Sequence, residues 1–162
     1  MVTLEKTLID GALFAILMSA LIVLSLLINP RVWLQDYPEE IRKLAPPLTA
    51  SEKRLQWIIL APFLVGIFVV PFLMAREVAG AGFLTVFGYL FVVLNVFNLF
   101  DAVVLDTLLL GFMRPKFALI PEAWDHPELL SLRREAINWI KGVVFCTVGA
   151  LIIALAVSLT TG

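Results

Sequence analysis

The sequence predicts an all-α integral membrane protein, a four-helix bundle whose two longer loops carry short interfacial helices. Two observations predict it. Apolar residues make up 61% of the 162-residue chain, against about 45–50% in a soluble domain, and mean hydropathy is +1.00. So small a protein cannot hide that much apolar side chain inside itself, so lipid must solvate much of it. The charges also fall in clumps, and none lies in Gly11–Pro30, Leu55–Ala75, Val78–Phe100 or Gly142–Gly162. Each gap is about the length a helix needs to cross the hydrocarbon core, roughly 20 residues. Backbone in lipid must satisfy its own hydrogen bonds, so each gap is expected to be helical.

The first span, about residues 8–29, reads as a membrane helix and not a secretory signal. Its apolar stretch exceeds a signal core of roughly 7–15 residues. Glu5, Lys6 and Asp10 precede it, and Asn29-Pro30-Arg31 follows it where a small-residue cleavage site would stand. The second span, about 55–76, contains Pro62, Gly66 and Pro71, which membranes tolerate. Pro71 predicts a packing kink, because it removes a donor and crowds the preceding turn. The third span covers about 82–112 and the fourth about 137–160, so residues 1–162 form a single transmembrane domain.

Orientation follows from the basic residues. Arg31, Arg42, Lys43, Lys53 and Arg54 fall in loop one. Arg114, Lys116, Arg133, Arg134 and Lys141 fall in loop three or the start of the fourth span. Only Lys6 and Arg76 lie opposite. Ten against two puts loops one and three in the cytoplasm and both termini outside, in an inner (plasma) membrane. Trp33, Trp57, Trp124 and Trp139 lie in or beside the same loops, at the headgroup level that tryptophan favours. The opposite side offers a tight turn at Gly80-Ala81-Gly82.

In loop one, Asp36-Tyr37-Pro38-Glu39-Glu40 is a helix start, with proline and acids in the first turn. Ile41 and Leu44 are then expected on the membrane surface, and Pro46-Pro47 stops the helix. Thr49-x-x-Glu52 fits a capping box for the second span. In loop three, Pro115 to Pro121 encloses an apolar stretch expected at the interface or dipping into the protein. Asp125-His126-Pro127-Glu128 starts another helix. His126 is a candidate acid–base group near neutral pH.

The third span carries Asn95-x-x-Asn98-x-x-Asp101-x-x-x-x-Asp106. Acids within a span usually face a protein interior or a water-filled cavity. At about 100° per residue, Asn95, Asn98 and Asp106 share an arc of about 80°. Asp101 falls about 140° from Asp106, so the two carboxylates are expected on different faces, and a metal pair from this helix is not expected. From Gly82 to Met113 is roughly 48 Å of helix, against a core of about 30 Å. Asp101 is thus expected at the inner edge and Asp106 near headgroup level. The reading is a polar cleft opening to the cytoplasm, formed by Asn95, Asn98, Asp101 and Asp106. Arg31, Arg42, Arg114 and Lys116 are available as ion-pair partners, and His126 lies nearby. Either these pairs fix the loops, or the cleft binds an anionic lipid headgroup, an ion or a phosphorylated substrate.

Several pieces resemble a group of four-span prokaryotic membrane proteins. They are Asn29-Pro30-Arg31, Gln35-Asp36-Tyr37-Pro38, Pro46-Pro47-x-Thr49-x-x-Glu52-Lys53-Arg54, Asn98-x-x-Asp101-x-x-x-x-Asp106 and Pro115-Lys116-Phe117-x-x-Ile120-Pro121. The resemblance spans most of the chain and implies a bacterial or archaeal inner-membrane protein. It carries no activity with it. Asn98, Asp101 and Asp106 also resemble the magnesium-diphosphate motif of intramembrane prenyltransferases. The spacing differs, one such motif is too few, and four spans are too few for that fold.

Other chemistry is excluded more directly. One cysteine, Cys146, forbids an internal disulfide, and the single histidine excludes a His-rich metal site. Phosphate-binding glycine loops, zinc-ligand spacings and nucleophile elbows do not occur. Net charge of −1 implies no nucleic-acid partner. No cofactor is expected. The bilayer is the expected partner, with anionic headgroups, a second copy or a larger membrane complex as further candidates.

Three functions remain. A non-enzymatic module (small subunit, scaffold or lipid-binding protein) is favoured; it predicts helix-three acids paired with loop arginines and no open cavity. A small oligomeric transporter or channel predicts a polar path to the outer face. A membrane enzyme acting on a lipid or phosphorylated substrate predicts Asp101, Asp106 and His126 converging on a pocket.

Overall fold

A computed structural model describes residues 2–161. Among them there are no strands. Helix α1 covers Leu4–Ile28, α2 Glu39–Leu44, α3 Ala50–Arg76, α4 Phe83–Phe100 and α5 Leu132–Thr161. A further helical segment, Asp101–Met113, continues α4 with π winding. Four helices are long and apolar enough to cross a membrane, with α4 and its continuation counted as one. The protein is therefore an all-α, multi-pass membrane bundle. Three of these helices begin four or five residues earlier than the expected spans, and the third begins one residue later.

Capping chemistry sets the ends. The Thr3 side chain accepts from the backbone N–H of Lys6 at 3.2 Å to open α1. Asn29 accepts from the N–H of Arg31 at 2.9 Å, and Pro30 takes the first position of the following 3-10 turn, Pro30–Asp36. The expected capping box is present. Glu52 N–H donates to Thr49 Oγ1 at 3.2 Å, and Thr49 N–H donates to Glu52 Oε2 at 2.8 Å. Helix α3 runs unbroken through Pro62 and Pro71.

The main core lies where α1, α4 and α5 meet. Phe14, Met18, Leu90, Val93, Ala154 and Val157 are fully buried there, and the rings of Phe14 and Phe97 meet edge to face at 5.6 Å. Outward positions such as Leu84, Phe145 and Leu159 stay exposed, as lipid-facing residues should. Two glycines permit close approach. A Cβ on Gly11 would touch Val96 of α4, and one on Gly142 would collide with the Asn98 side chain.

The two loops carry short helical pieces, α2 in loop one and the 3-10 turns Pro121–Ala123 and Pro127–Leu129 in loop three. They pack on each other as a second core of Leu34, Ile41, Ala45, Leu119, Ile120 and Leu129. Ile41 is buried here, while Leu44 stays exposed. The apolar stretch between Pro115 and Pro121 dips inward, burying Ala118, Leu119 and Ile120. The N–H of Ile120 donates to the Tyr37 hydroxyl at 3.3 Å, joining the loops. Burial pushes the Tyr37 phenol up to about 12, against the opposing bond from Ile120.

Asn98 donates through Nδ2 to the Trp139 carbonyl at 3.2 Å, across the surface that Gly142 leaves open. Gly142→Ala should force the Asn98 side chain aside and break that bond. The expected cost is about 1–3 kcal/mol, read as a lowered unfolding midpoint in detergent. Gly80→Ala meets no neighbour and should leave the midpoint unchanged.

Candidate functional site

Asp101 and Asp106 both line one partly open cavity of about 590 Å³ at the loop-one and loop-three end. That volume lies within the range of small-molecule sites, about 300–1,000 Å³. The expectation that the two carboxylates occupy different faces is corrected here. Its premise was α-helical winding, and from Asp101 to Met113 the backbone is a π-helix. Bonding from residue i to i+5 brings residues five apart nearly over one another. Two bonds display the wider spacing. Thr107 Oγ1 donates to the Ala102 carbonyl at 2.7 Å, and Arg114 N–H donates to the Leu109 carbonyl at 3.0 Å. Both reach back five residues.

The π segment is closed by loop three. Gly111 sits under Leu130, whose Cδ1 would lie 2.6 Å from an added Cβ. Arg114 takes a left-handed conformation, φ 47°, and its Nε donates to the Gly111 carbonyl at 2.9 Å. This is a helix C-terminus capped by its own cation.

The wall facing α1 and α3 is apolar: Ile22, Leu26, Phe63, Ile67, Phe97 and Trp33. Trp33 meets Phe63 edge to face at 5.8 Å and donates its indole N–H to Ser25 Oγ at 2.7 Å. Ile22 lies roughly 9 Å inside the loop-side end of α1 at 1.5 Å per residue, so the cavity reaches into the span. The charged and amide groups come from the rest of the lining, Asp36 of loop one, Asp101 and Asp106 of the π segment, and Arg134, Glu135 and Asn138 of α5, with Leu110, Leu119 and Leu129 among them.

The cation in this lining is already engaged. Arg134 Nη2 pairs with Glu135 Oε1 at 2.6 Å and donates to the Leu129 carbonyl at 2.8 Å, while Nη1 donates to the Glu128 carbonyl at 2.6 Å. Asp36 receives one bond, from the Gln35 amide at 3.1 Å, and burial raises its carboxyl above the usual range. Among the described residues neither Asp101 nor Asp106 has a hydrogen bond or ion pair through its side chain. No group of three or more His, Cys, Asp or Glu among the described residues is placed to hold a metal ion.

Of the nine residues the sequence singled out, the cavity unites two. Asn95 donates within its own helix to the Phe91 carbonyl at 2.8 Å, and Asn98 bonds α5. Arg31 pairs with Glu52 at 2.6 Å and donates to the Pro46 carbonyl at 2.8 Å. Arg42 donates to the Gln35 carbonyl at 3.2 Å. Arg114 caps the π segment, and Lys116 lies 5.0 Å over the Trp124 ring. His126 Nδ1 accepts from the N–H of Glu128 at 3.2 Å, capping the short turn Pro127–Leu129. Sequence reasoning missed Asp36, Arg134, Glu135 and Asn138 as site residues. The readable signal was Glu135-x-x-Asn138, an i, i+3 polar pair on one face of the helix that becomes the fourth span.

Compared with known protein families, curated proteins and solved structures, the chain matches none of them.

Carboxylates crowded around one cavity without partners repel each other and are held there by the scaffold. Asp101→Asn and Asp106→Asn should each raise the unfolding midpoint at neutral pH, by about 1 kcal/mol. Glu135→Gln, which weakens the pair to Arg134, should lower it by about 1–3 kcal/mol. Thermal unfolding of the three variants in one detergent checks the contrast. A loss of stability in either aspartate variant would mean that those carboxylates have structural partners.

Proposed function

We propose that this chain is a ligand-binding module of the inner membrane that holds a small molecule in the cavity at its loop-one and loop-three end; the unpaired aspartates and the open cavity depart from the paired, closed arrangement expected of a scaffold or small subunit, and only the binding form of that reading is kept. In this reading loops one and three face the cytoplasm and both termini face outward. The cavity carries the proposal: it is of ligand size, reaches into the spans and has two chemically different walls. The ten-to-two bias of basic residues supports the sidedness. Exposed apolar surface on α3, including Ile58, Val65, Phe68 and Leu73, offers itself to lipid, a second copy or another subunit. The remaining exposed loop cations favour an anionic lipid surface, but the cavity has the opposite charge.

The other readings have less to stand on. An enzyme built from Asp101, Asp106 and His126 needs the histidine at the cavity, and His126 is occupied as a turn cap. A pore through one chain needs polar groups along its length. Beyond the cavity, Phe14, Met18, Val93 and Leu94 are packed solid. Past them the next polar cluster is Lys6, Asp10, Glu77 and Tyr89, fully occupied with itself.

Two measurements test this reading. Native mass spectrometry of the protein, purified gently in dodecyl maltoside, should show a retained small molecule. Ile67→Trp, which fills the cavity from α3, should release it; a chain free of ligand in both forms would defeat the reading. For sidedness, single cysteines at Ala81 and His126 in a Cys146→Ser background are exposed to a membrane-impermeant maleimide. Position 81 should label in intact cells and position 126 only after permeabilisation. The reverse pattern would invert the topology.

A further inference from the structure

We infer that the ligand of this cavity is an amphiphilic organic cation, with an ammonium head among Asp36, Asp101 and Asp106 and an apolar body along Ile22, Phe63 and Ile67. This rests on the ligand-holding reading above and names the chemistry it takes.

Charge comes first. Asp36, Asp101, Asp106 and Glu135 line the cavity with a single guanidinium, Arg134. That guanidinium is used up by Glu135 and by the carbonyls of Glu128 and Leu129. Three carboxylates therefore face the space without a cation. Glu135 adds to them: it is only 9% exposed, and its bonds to Arg134 use Oε1 alone. Oε2 is left without a hydrogen bond on a residue that lines the cavity. An anion entering here would meet repulsion from the carboxylates, while a cation would relieve it.

Size and shape choose among cations. A bare metal ion needs several oxygens within about 2.0–2.6 Å of one point. No group of three or more His, Cys, Asp or Glu among the described residues is placed to supply them, and the space of about 590 Å³ has room for roughly 20 water-sized groups, far more than one ion fills. An ammonium group has three donors that separate acceptors can share. It also tolerates the aromatic faces of Trp33 and Phe63. The remaining length is hydrocarbon-lined, so the rest of the ligand is apolar.

The test offers the purified protein, in dodecyl maltoside, equal amounts of dodecylamine, dodecanol and dodecanoate, and reads the adduct by native mass spectrometry. Parallel arms add phosphatidylethanolamine or phosphatidylglycerol, separating a lipid amine from a free one. The amine should be retained at least tenfold over the alcohol and the carboxylate. The double variant Asp101→Asn, Asp106→Asn should lose that preference while remaining folded. Preferential retention of phosphatidylethanolamine, lost in the same variant, would support the inference and assign the head to a lipid. Equal or better retention of dodecanol or dodecanoate would overturn it while leaving a ligand-holding cavity. Retention of none of them, in a protein that also carries no endogenous ligand, would sink both readings.

Discussion

The wider winding of the segment after Phe100 is the constraint on which the rest of the site depends. An α-helix would point Asp101 and Asp106 to different faces, one of them toward lipid or a packed neighbour. The i→i+5 spacing, visible in the bond from Thr107 to Ala102 and in that from Arg114 to Leu109, turns both into one cavity. Such winding is rare and, in its usual single-turn form, frequent at functional sites. The far end of the segment has support from outside the helix. Loop three provides it through Leu130 seated on Gly111 and through the Arg114 cap. The loop core then holds loop three in place, with Tyr37 accepting from Ile120.

The two ends of the bundle treat charge differently. At the end away from loops one and three, Lys6 bridges Asp10 at 2.8 Å and Glu77 at 3.2 Å, and Tyr89 donates to Asp10 at 2.7 Å. Each of these four groups has a partner, and the network ties α1 to α4 and to Glu77 at the end of α3. This is what a structural polar cluster in a membrane protein looks like. In the lining of the cavity at the other end, four carboxylates stand against one arginine. Between the two ends lies the apolar core around Phe14, Met18 and Leu90, which isolates one from the other. A polar group that has been paired serves packing; one left open to a cavity is free for a ligand.

Much of the fold was readable because its causes are local. A charge-free run of bilayer length permits one structure, and Thr49-x-x-Glu52 specifies its cap through atoms three residues apart. The site was less readable because its causes are not local. Asp101 and Asp106 were visible as acids, but the facing derived for them assumed a period that the backbone does not keep. Asn95 and Asn98 looked like their companions and are instead a self-bonded side chain and a clamp on α5. The choice of partner for each arginine was equally hidden. Arg31 is within reach of several acids by sequence, and only the path of loop one brings it to Glu52. Glu135 and Asn138 were visible as polar residues at the start of a span, yet nothing in that helix alone says which neighbour they face.

The distribution of cations sharpens the argument about Asp101 and Asp106. Arg31, Arg42, Arg114 and Lys116 are the loop cations that the sequence offers to the third span, and each is engaged elsewhere: with Glu52, with the Gln35 carbonyl, with the Gly111 carbonyl, and over the Trp124 ring. Those interactions build the loops, and the loops roof the cavity. The basic residues thus fix the walls without entering the space they enclose. Carboxylates held by a scaffold and not by counter-ions keep their acceptors free and already oriented, which lowers the cost of receiving a cation. A membrane protein that had needed these aspartates only for stability would have done better to pair them or to replace them with apolar residues. Their placement on a cavity, with neither bonded to the one arginine that shares it, is what sets them apart from the other acids in the fold.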